Sequence, residues 1–390
     1  METADVLVVG LGAMGSATAY QLAKRGARVI GIDRFRPPHQ LGSSSGDTRI
    51  TRQAVGEGDA YVPLAMRSHE LWRDIESETG EEIFSACGTL IVSDASRGGA
   101  VHGTGDFVIA TAKLADRFGI EHELLSADDI VHRYPQLRID TDFTGYFEPG
   151  GGFVRTDRAI HAQLHLAQRH GAVFHYGETV ADIAPSGVSV EVRTSEQEYQ
   201  AEQVVVATGP WLPSMLGGFT VATAFKVYRQ VMYWFDIQGS AQSFTPDRFP
   251  TFLWPFGDGE FFYGFPAIDG NSGGVKVATD DFSTPTTPVE LQRKVTAGEP
   301  RRMHEHCIAG RIPGLSSRVV RHSVCMLTVA PRFGFIIDQC PDQPRTWLVS
   351  ACSGHGFKHS PAIGEAIAQQ TLGGRSDIDI SSFSLPASIT

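Results

Sequence analysis

Three glycines and an acid carry the first readable chemistry of this chain. Gly10, Gly12 and Gly15 stand in the spacing G-x-G-x-x-G within Gly10-Leu11-Gly12-Ala13-Met14-Gly15, and Asp33 follows about twenty residues later. That order suits a dinucleotide. Gly10 permits a tight turn, Gly12 lets the backbone approach a pyrophosphate, and Gly15 lets a helix pack closely on a strand. The pyrophosphate would sit on unpaired N–H groups at the positive end of the helix, with Asp33 accepting from ribose hydroxyls. A second candidate is the polar, glycine-rich run from Gly42 to Arg52, Gly-Ser-Ser-Ser-Gly-Asp-Thr-Arg-Ile-Thr-Arg. Its small residues expose backbone N–H groups and suit contact with a flat polar ring or a phosphate; a plain solvated loop is the alternative. Arg49 and Arg52 lie three apart, so on a helical turn they would share one side and call for an anion between them, unless they are a surface charge pair.

These residues need particular elements beneath them. Residues 5–9 form an apolar run typical of a buried parallel strand, residues 16–24 read as helix, and residues 27–32 as a second strand. The chain is therefore α/β at its start, with a Rossmann-like βαβ unit. Farther on, residues 61–79 read as amphipathic helix and 82–92 as strand. Residues 158–170 read as helix, 178–183 as an extended piece, and 188–201 as a hairpin leading into the apolar strand 203–207. Between 221 and 317 the texture changes to alternating aromatic runs, which predict long antiparallel strands, and residues 288–308 read as helix. Residues 319–329 are expected to return to the first domain. The division predicted is a discontinuous nucleotide domain of residues 1–92, 145–220 and 318–390, and an α+β substrate domain of residues 93–144 and 221–317, built on a large, mainly antiparallel sheet.

Bulk properties exclude several classes. A chain of 390 residues is long for one core, so roughly two domains are expected. A net charge of −11 opposes non-specific nucleic-acid binding, though one or two local cations suffice for an anionic substrate. The sequence holds no apolar run of about 18 residues. Its first strand begins close to Met1, leaving no room for a signal peptide, and its five cysteines show no paired spacing. The cytoplasm is the expected compartment, with no membrane partner and no metal.

Several motifs along the chain resemble one family. The run from Gly42 to Arg52, Tyr61-Val62-Pro63-Leu64, Cys325-Met326, Phe335-Ile336-Ile337-Asp338 and Ser353-Gly354-His355-Gly356-Phe357-Lys358 are similar to those of monomeric sarcosine oxidase and N-methyltryptophan oxidase, flavin-dependent amine oxidases of the D-amino-acid-oxidase superfamily. The resemblance implies FAD in the glycine-rich site, held by Gly10, Gly12, Gly15, Asp33, Ser43, Ser44, Thr48, Arg49, Val180, Cys325, Gly354, Gly356, Phe357 and Lys358. It makes Cys325 the residue whose sulfur bonds covalently to the flavin; a cysteine in an apolar strand is, on its own, more often an inert core thiol. Lys276 matches the lysine that promotes reaction with oxygen, Arg49 an arginine beside the flavin, and Tyr263 a tyrosine lining the substrate cavity. Arg52 and Lys358 match the pair that holds a substrate carboxylate.

Three departures stand out. Ser45 occupies a position where a histidine is common, and Asp280 falls near another cavity histidine. Asp280 suits either a cationic group on a longer substrate or a surface carboxylate beside Asp281. Residues 330–334 lack the acidic residues usual in relatives. The resemblance thus implies an oxidase of a secondary amino acid, N-methyl or N-alkyl, acting as a monomer with O2 as acceptor and hydrogen peroxide as product. A dehydrogenase passing electrons to a carrier is the alternative, and a non-catalytic or RNA-modifying flavin module fits the acidic balance less well.

Overall fold

The computed structural model describes residues 1–94, 99–217, 220–257, 259–343 and 345–386. Its organising element is a sheet whose parallel core runs Val173–Tyr176, Val29–Asp33, Glu2–Val9, Glu198–Val206 and Thr346–Ser350, with Ile336–Gln339 antiparallel at one edge. Val6 to Val9 are buried, as expected of a strand covered on both faces. One face carries the helices Ala13–Lys24, Val62–Thr79, Thr156–Arg169 and Ser360–Gly373, sharing a core around Leu22, Trp72, Leu166 and Ile363. On the other lie residues of the antiparallel pair Val180–Ser186 and Ser189–Thr194 and of the segment 212–225. Among the described residues no helix is long and apolar enough to cross a membrane.

A second sheet of eight strands runs Leu315–Val329, Lys226–Ile237, Val275–Ala278, Phe261–Gly264, Thr251–Pro255, Thr89–Asp94, Phe143–Glu148 and Glu123–Ser126. It is mainly antiparallel, as the aromatic alternation predicts; Thr251–Pro255 and Thr89–Asp94 pair in parallel. A small sheet of Thr48–Thr51, Gly152–Arg155 and Phe84–Ser85 completes the strand framework. The α/β and α+β reading of the two parts therefore holds.

Several local expectations do not. Leu315–Val329 does not return to the first sheet: it pairs from Leu315 to Val329 with Lys226–Ile237, so the boundary expected at 318 falls inside a strand of the second sheet. Thr89–Asp94 and Phe143–Glu148 likewise belong to that sheet, although the expected first part includes residues 89–92 and 145–148. The expected strand 82–92 is broken at Gly88, whose φ of +83° no β-branched residue would adopt readily. Helix in the stretch 288–308 is confined to Gly298–Met303 and the wide turn His304–Ile308. The Arg229 guanidinium donates to the carbonyls of Gln292 at 2.7 Å and Lys294 at 3.3 Å, so a tertiary contact takes acceptors a helix would have used. Residues 49–52 are not a helical turn either. Thr48–Thr51 is a strand, on which Arg49 points away from its neighbours' side.

Candidate active site

A cavity of about 650 Å³ runs from the glycine-rich turn, along the ends of the parallel strands, to the face of the second sheet. At the glycine end each residue has a separate steric reason. Gly10 has φ +86° and a Cβ there would lie 2.7 Å from the Ala207 carbonyl oxygen. A Cβ on Gly15 would collide with the Gly10 carbonyl, so Gly15 serves helix–strand packing and does not line the cavity. Gly12 differs: a Cβ on it would meet no protein atom within 4 Å and would enter the cavity it borders. Asp33 accepts from the Leu11 and Phe35 N–H groups, both at 2.8 Å, which ties the second strand to the glycine turn. Burial raises its pKa against those two bonds, and its oxygens retain lone pairs facing the cavity. Ser43 and Thr208 border the same space with buried hydroxyls that have no partner among the described residues. The open space beside Gly12, the orphaned hydroxyls and an acid with acceptor capacity left at the strand ends fit a dinucleotide. Ser44 and Val180 also border it.

Midway along lie Arg49 and Cys325. The Arg49 guanidinium donates to the carbonyls of Ser43, Ser45 and Thr48 at 2.7 to 2.8 Å, which pins the polar run into a cradle. Cys325 opens on the cavity, and burial, against the nearby Arg49, pushes its thiol up to about 11. Lys276 is buried at 2% exposure and donates to Gly46 O, Thr48 O and Thr48 Oγ1 at 2.7 to 2.8 Å. Its ammonium also lies 3.8 Å from the centre of the Phe265 ring. Burial, reinforced by Arg49, holds its pKa well below that of a free lysine. Lys276 and Thr48 thus stand behind the cradle and not in the cavity wall.

The far end is a chain of charges. Arg52 Nη2 donates to Glu57 Oε2 at 2.9 Å, and Arg52 Nε is buried without a partner. Glu57 Oε1 accepts from His102 Nδ1 at 3.1 Å, and His102 Nε2 donates to Asp280 Oδ2 at 3.0 Å. Between two ionised carboxylates the ring donates from both nitrogens, as an imidazolium. Burial opposes that charge, but the bonds to Asp280 and Glu57 raise His102 to about 9. For Glu57 burial is overcome by the Arg52 guanidinium and the bond to His102, and its carboxyl lies well below the usual range. Lys358, 3% exposed, donates to the His355 carbonyl at 2.7 Å; burial and Arg52, against Glu57, lower it to about 7. Tyr263 borders this end with its phenol raised by burial and by Asp280. Gly354, at φ +87°, is required here, since a Cβ would lie 2.5 Å from Asp280 Oδ2. Gly356 and Phe357 continue the wall, and a Cβ on Gly356 would strike the Ala351 carbonyl.

Of the two readings of Asp280, the surface carboxylate fails: its side chain is 4% exposed and faces the cavity end. The charge it carries is already met by His102. Glu57, His102 and Glu148 were not legible as site residues. Glu148 accepts from the Gln53 and Ala54 N–H groups at 2.6 and 3.1 Å, fixing the chain just past Arg52. Glu57 lies five residues beyond Arg52, a spacing that could have suggested a pair. His102 sits in a stretch with no periodic pattern, and nothing local marks it.

The FAD dependent oxidoreductase family matches residues 5–370. Monomeric sarcosine oxidase of Streptomyces avermitilis is 38% identical over 376 residues, covering 95% of this chain and 94% of that protein. N-methyl-L-tryptophan oxidase of Salmonella heidelberg is 30% identical over 387 residues, covering 98% of each. Among solved structures, the open form of NikD, an unusual amino acid oxidase essential for nikkomycin biosynthesis, superimposes with a TM-score of 0.82 at 25% identity over 98% of each chain. Likeness at this length and level is shared descent: the chain belongs to the FAD-dependent oxidoreductases, in the family of monomeric sarcosine oxidase and N-methyltryptophan oxidase.

Proposed function

We propose that this enzyme oxidises a secondary amino acid, N-methyl or N-alkyl, using FAD and molecular oxygen. The observation that carries this reading is the pair Arg52 and Lys358. Arg52 has a buried Nε with no partner, Lys358 has only a backbone carbonyl, and both open on one end of the cavity whose other end fits a dinucleotide. A planar guanidinium and a point ammonium suit one carboxylate.

In this reading Gly10, Gly12 and Asp33 hold the dinucleotide, with Gly15 shaping the turn beneath it. Ser43, Ser44, Thr48, Arg49, Val180, Gly354, Gly356 and Phe357 shape the rest of the bed, and Cys325 holds the flavin through a thioether. When bound, the flavin accepts the hydride equivalent lost by the carbon next to the substrate nitrogen and returns its electrons to O2, giving hydrogen peroxide. Arg52 and Lys358 grip the carboxylate and so fix which carbon faces the ring. Tyr263 walls the cavity, and the imine released is hydrolysed by water to a carbonyl compound and an amine. Asp280 acts through His102, so the site offers a longer substrate a neutral pair and not a bare anion. The enzyme works as a monomer in the cytoplasm.

An anaerobic screen of N-methyl, cyclic and N-carboxyalkyl amino acids, reading loss of flavin absorbance, tests this function; bleaching by none of them overturns it. A second reading, a dehydrogenase that hands electrons to a carrier, is favoured by one observation. The Lys276 ammonium is spent on Gly46 and Thr48 behind the cradle. Rapid reoxidation of the bleached enzyme by air sinks the dehydrogenase; reoxidation only by an added carrier sinks the oxidase.

A further inference from the structure

An amino acid in neutral water carries its nitrogen as an ammonium, which has no lone pair to push a hydride off the adjacent carbon. One proton must leave before oxidation, and the site needs somewhere to put it.

The groups that border the charged end can be taken in turn. Arg49 and Arg52 are guanidinium ions and accept nothing. His102 already holds a proton on each nitrogen between Glu57 and Asp280, and those carboxylates are each engaged by it. Tyr263 is a neutral acid. His355 has a buried Nδ1 without a partner, but burial, with Lys358 and His102 nearby against the pull of Glu57, holds it to about 3. His359 lies behind the wall and is lowered well below a free histidine. Lys358 remains. Arg52 and Glu57 face it from the chain after Thr48–Thr51, and His355 and His359 from its own segment. Beyond Glu57 the chain of charges continues to His102 and Asp280. Among the described residues no carboxylate forms an ion pair with Lys358, because Glu57 is held by Arg52 and His102. A buried ammonium with one carbonyl and no counterion is costly, and an arriving carboxylate removes that cost.

We propose that Lys358 takes the proton that a zwitterionic substrate must lose, so that carboxylate binding and amine activation are one event. The N–H bond of the substrate ammonium breaks, an N–H bond forms at Lys358 Nζ, and no electrons leave or enter. The substrate ends as a free amine with its carboxylate against a Lys358 ammonium, and the net charge of the site is unchanged. In an α-amino acid the nitrogen and the carboxylate share one carbon, so a lysine gripping the acid is within reach of the amine.

This inference rests on the proposed carboxylate site, and proton counting separates the two. Acetate, which has no ammonium to give, is titrated into the oxidised holoenzyme at pH 8 in two buffers of different ionisation enthalpy. Uptake of about one proton per acetate is expected. N-methylglycine, mixed anaerobically with a pH indicator, is expected to bind before bleaching with no net release. Lys358→Arg, which keeps the charge but cannot be neutral, should bind acetate without uptake and release about one proton with N-methylglycine. Acetate bound by the wild type without uptake, or uptake persisting in Lys358→Arg, overturns the proposal while leaving the carboxylate site intact. Failure of acetate to perturb the flavin spectrum at all removes the site as well as the proton.

Discussion

Arg52 Nη2 lies 2.9 Å from Glu57 Oε2, with the two side chains 3% and 5% exposed. One carboxylate there neutralises a guanidinium and, through its second oxygen, an imidazolium. Glu57→Gln leaves two buried cations short of an anion, so a loss of about 3 kcal/mol in stability is expected from denaturant unfolding. The same change removes the acid that competes for Arg52, and acetate should bind about tenfold more tightly. Weaker acetate binding in a folded variant would show that Glu57 helps to build the site and does not rival the ligand.

His102 gives the protein a pH signature. Its folded pKa, raised to about 9, exceeds the free value of 6.5, so its contribution is fully present below pH 6.5 and is lost as pH rises toward 9. Lys358, lowered to about 7, acts in the opposite direction, since its penalty is relieved as pH rises from 7. Comparing His102→Gln with the wild type isolates the first effect: the stability difference between them should shrink by about 3 kcal/mol between pH 6 and pH 9.5. A difference constant across that range contradicts an imidazolium at this position.

Lys276 tests the choice between an oxidase and a dehydrogenase, and the oxidase reading sets the expectation. Lys276→Met should leave anaerobic bleaching by substrate within about tenfold of wild type and slow reoxidation by oxygen about a hundredfold or more. Equal slowing of both half-reactions, measured by stopped flow, would assign the lysine to the Gly46–Thr48 cradle alone.

Attachment of the flavin is read from colour. After acid precipitation the wild-type pellet should be yellow and the supernatant clear. Cys325→Ser should reverse this, while Cys352→Ser and Cys340→Ser, at the two other thiols bordering the cavity, should not. A yellow Cys325→Ser pellet moves the bond elsewhere.

Gly12 tests the dinucleotide end without disturbing the fold. A methyl group there meets no protein atom within 4 Å, so Gly12→Ala should unfold within about 0.5 kcal/mol of wild-type apoprotein yet incorporate far less flavin when it is produced. In Gly15→Ala, by contrast, the methyl group strikes the Gly10 carbonyl and the protein itself should be destabilised. Full retention of colour by Gly12→Ala would place the pyrophosphate somewhere else.

What the amino-acid sequence determined by itself was local. The strand, turn and helix around Gly10–Gly15 are set by residues within a few positions of one another, whereas the polar cradle from Gly42 to Thr48 also needs Lys276, far along the chain. Alternating aromatics from Val227 to Phe235 specified a half-buried strand for the same reason: a period of two is written in adjacent residues. Tertiary structure alone decided which sheet Leu315–Val329 joins, because its pairing depends on Lys226–Ile237 nearly ninety residues away. It alone assembled Arg52, Glu57, His102 and Asp280 into one chain of charges from three separate stretches. Protonation follows the same division: burial and a distant partner, not the residue's own neighbours in sequence, make His102 a cation and leave Lys358 poised to become one.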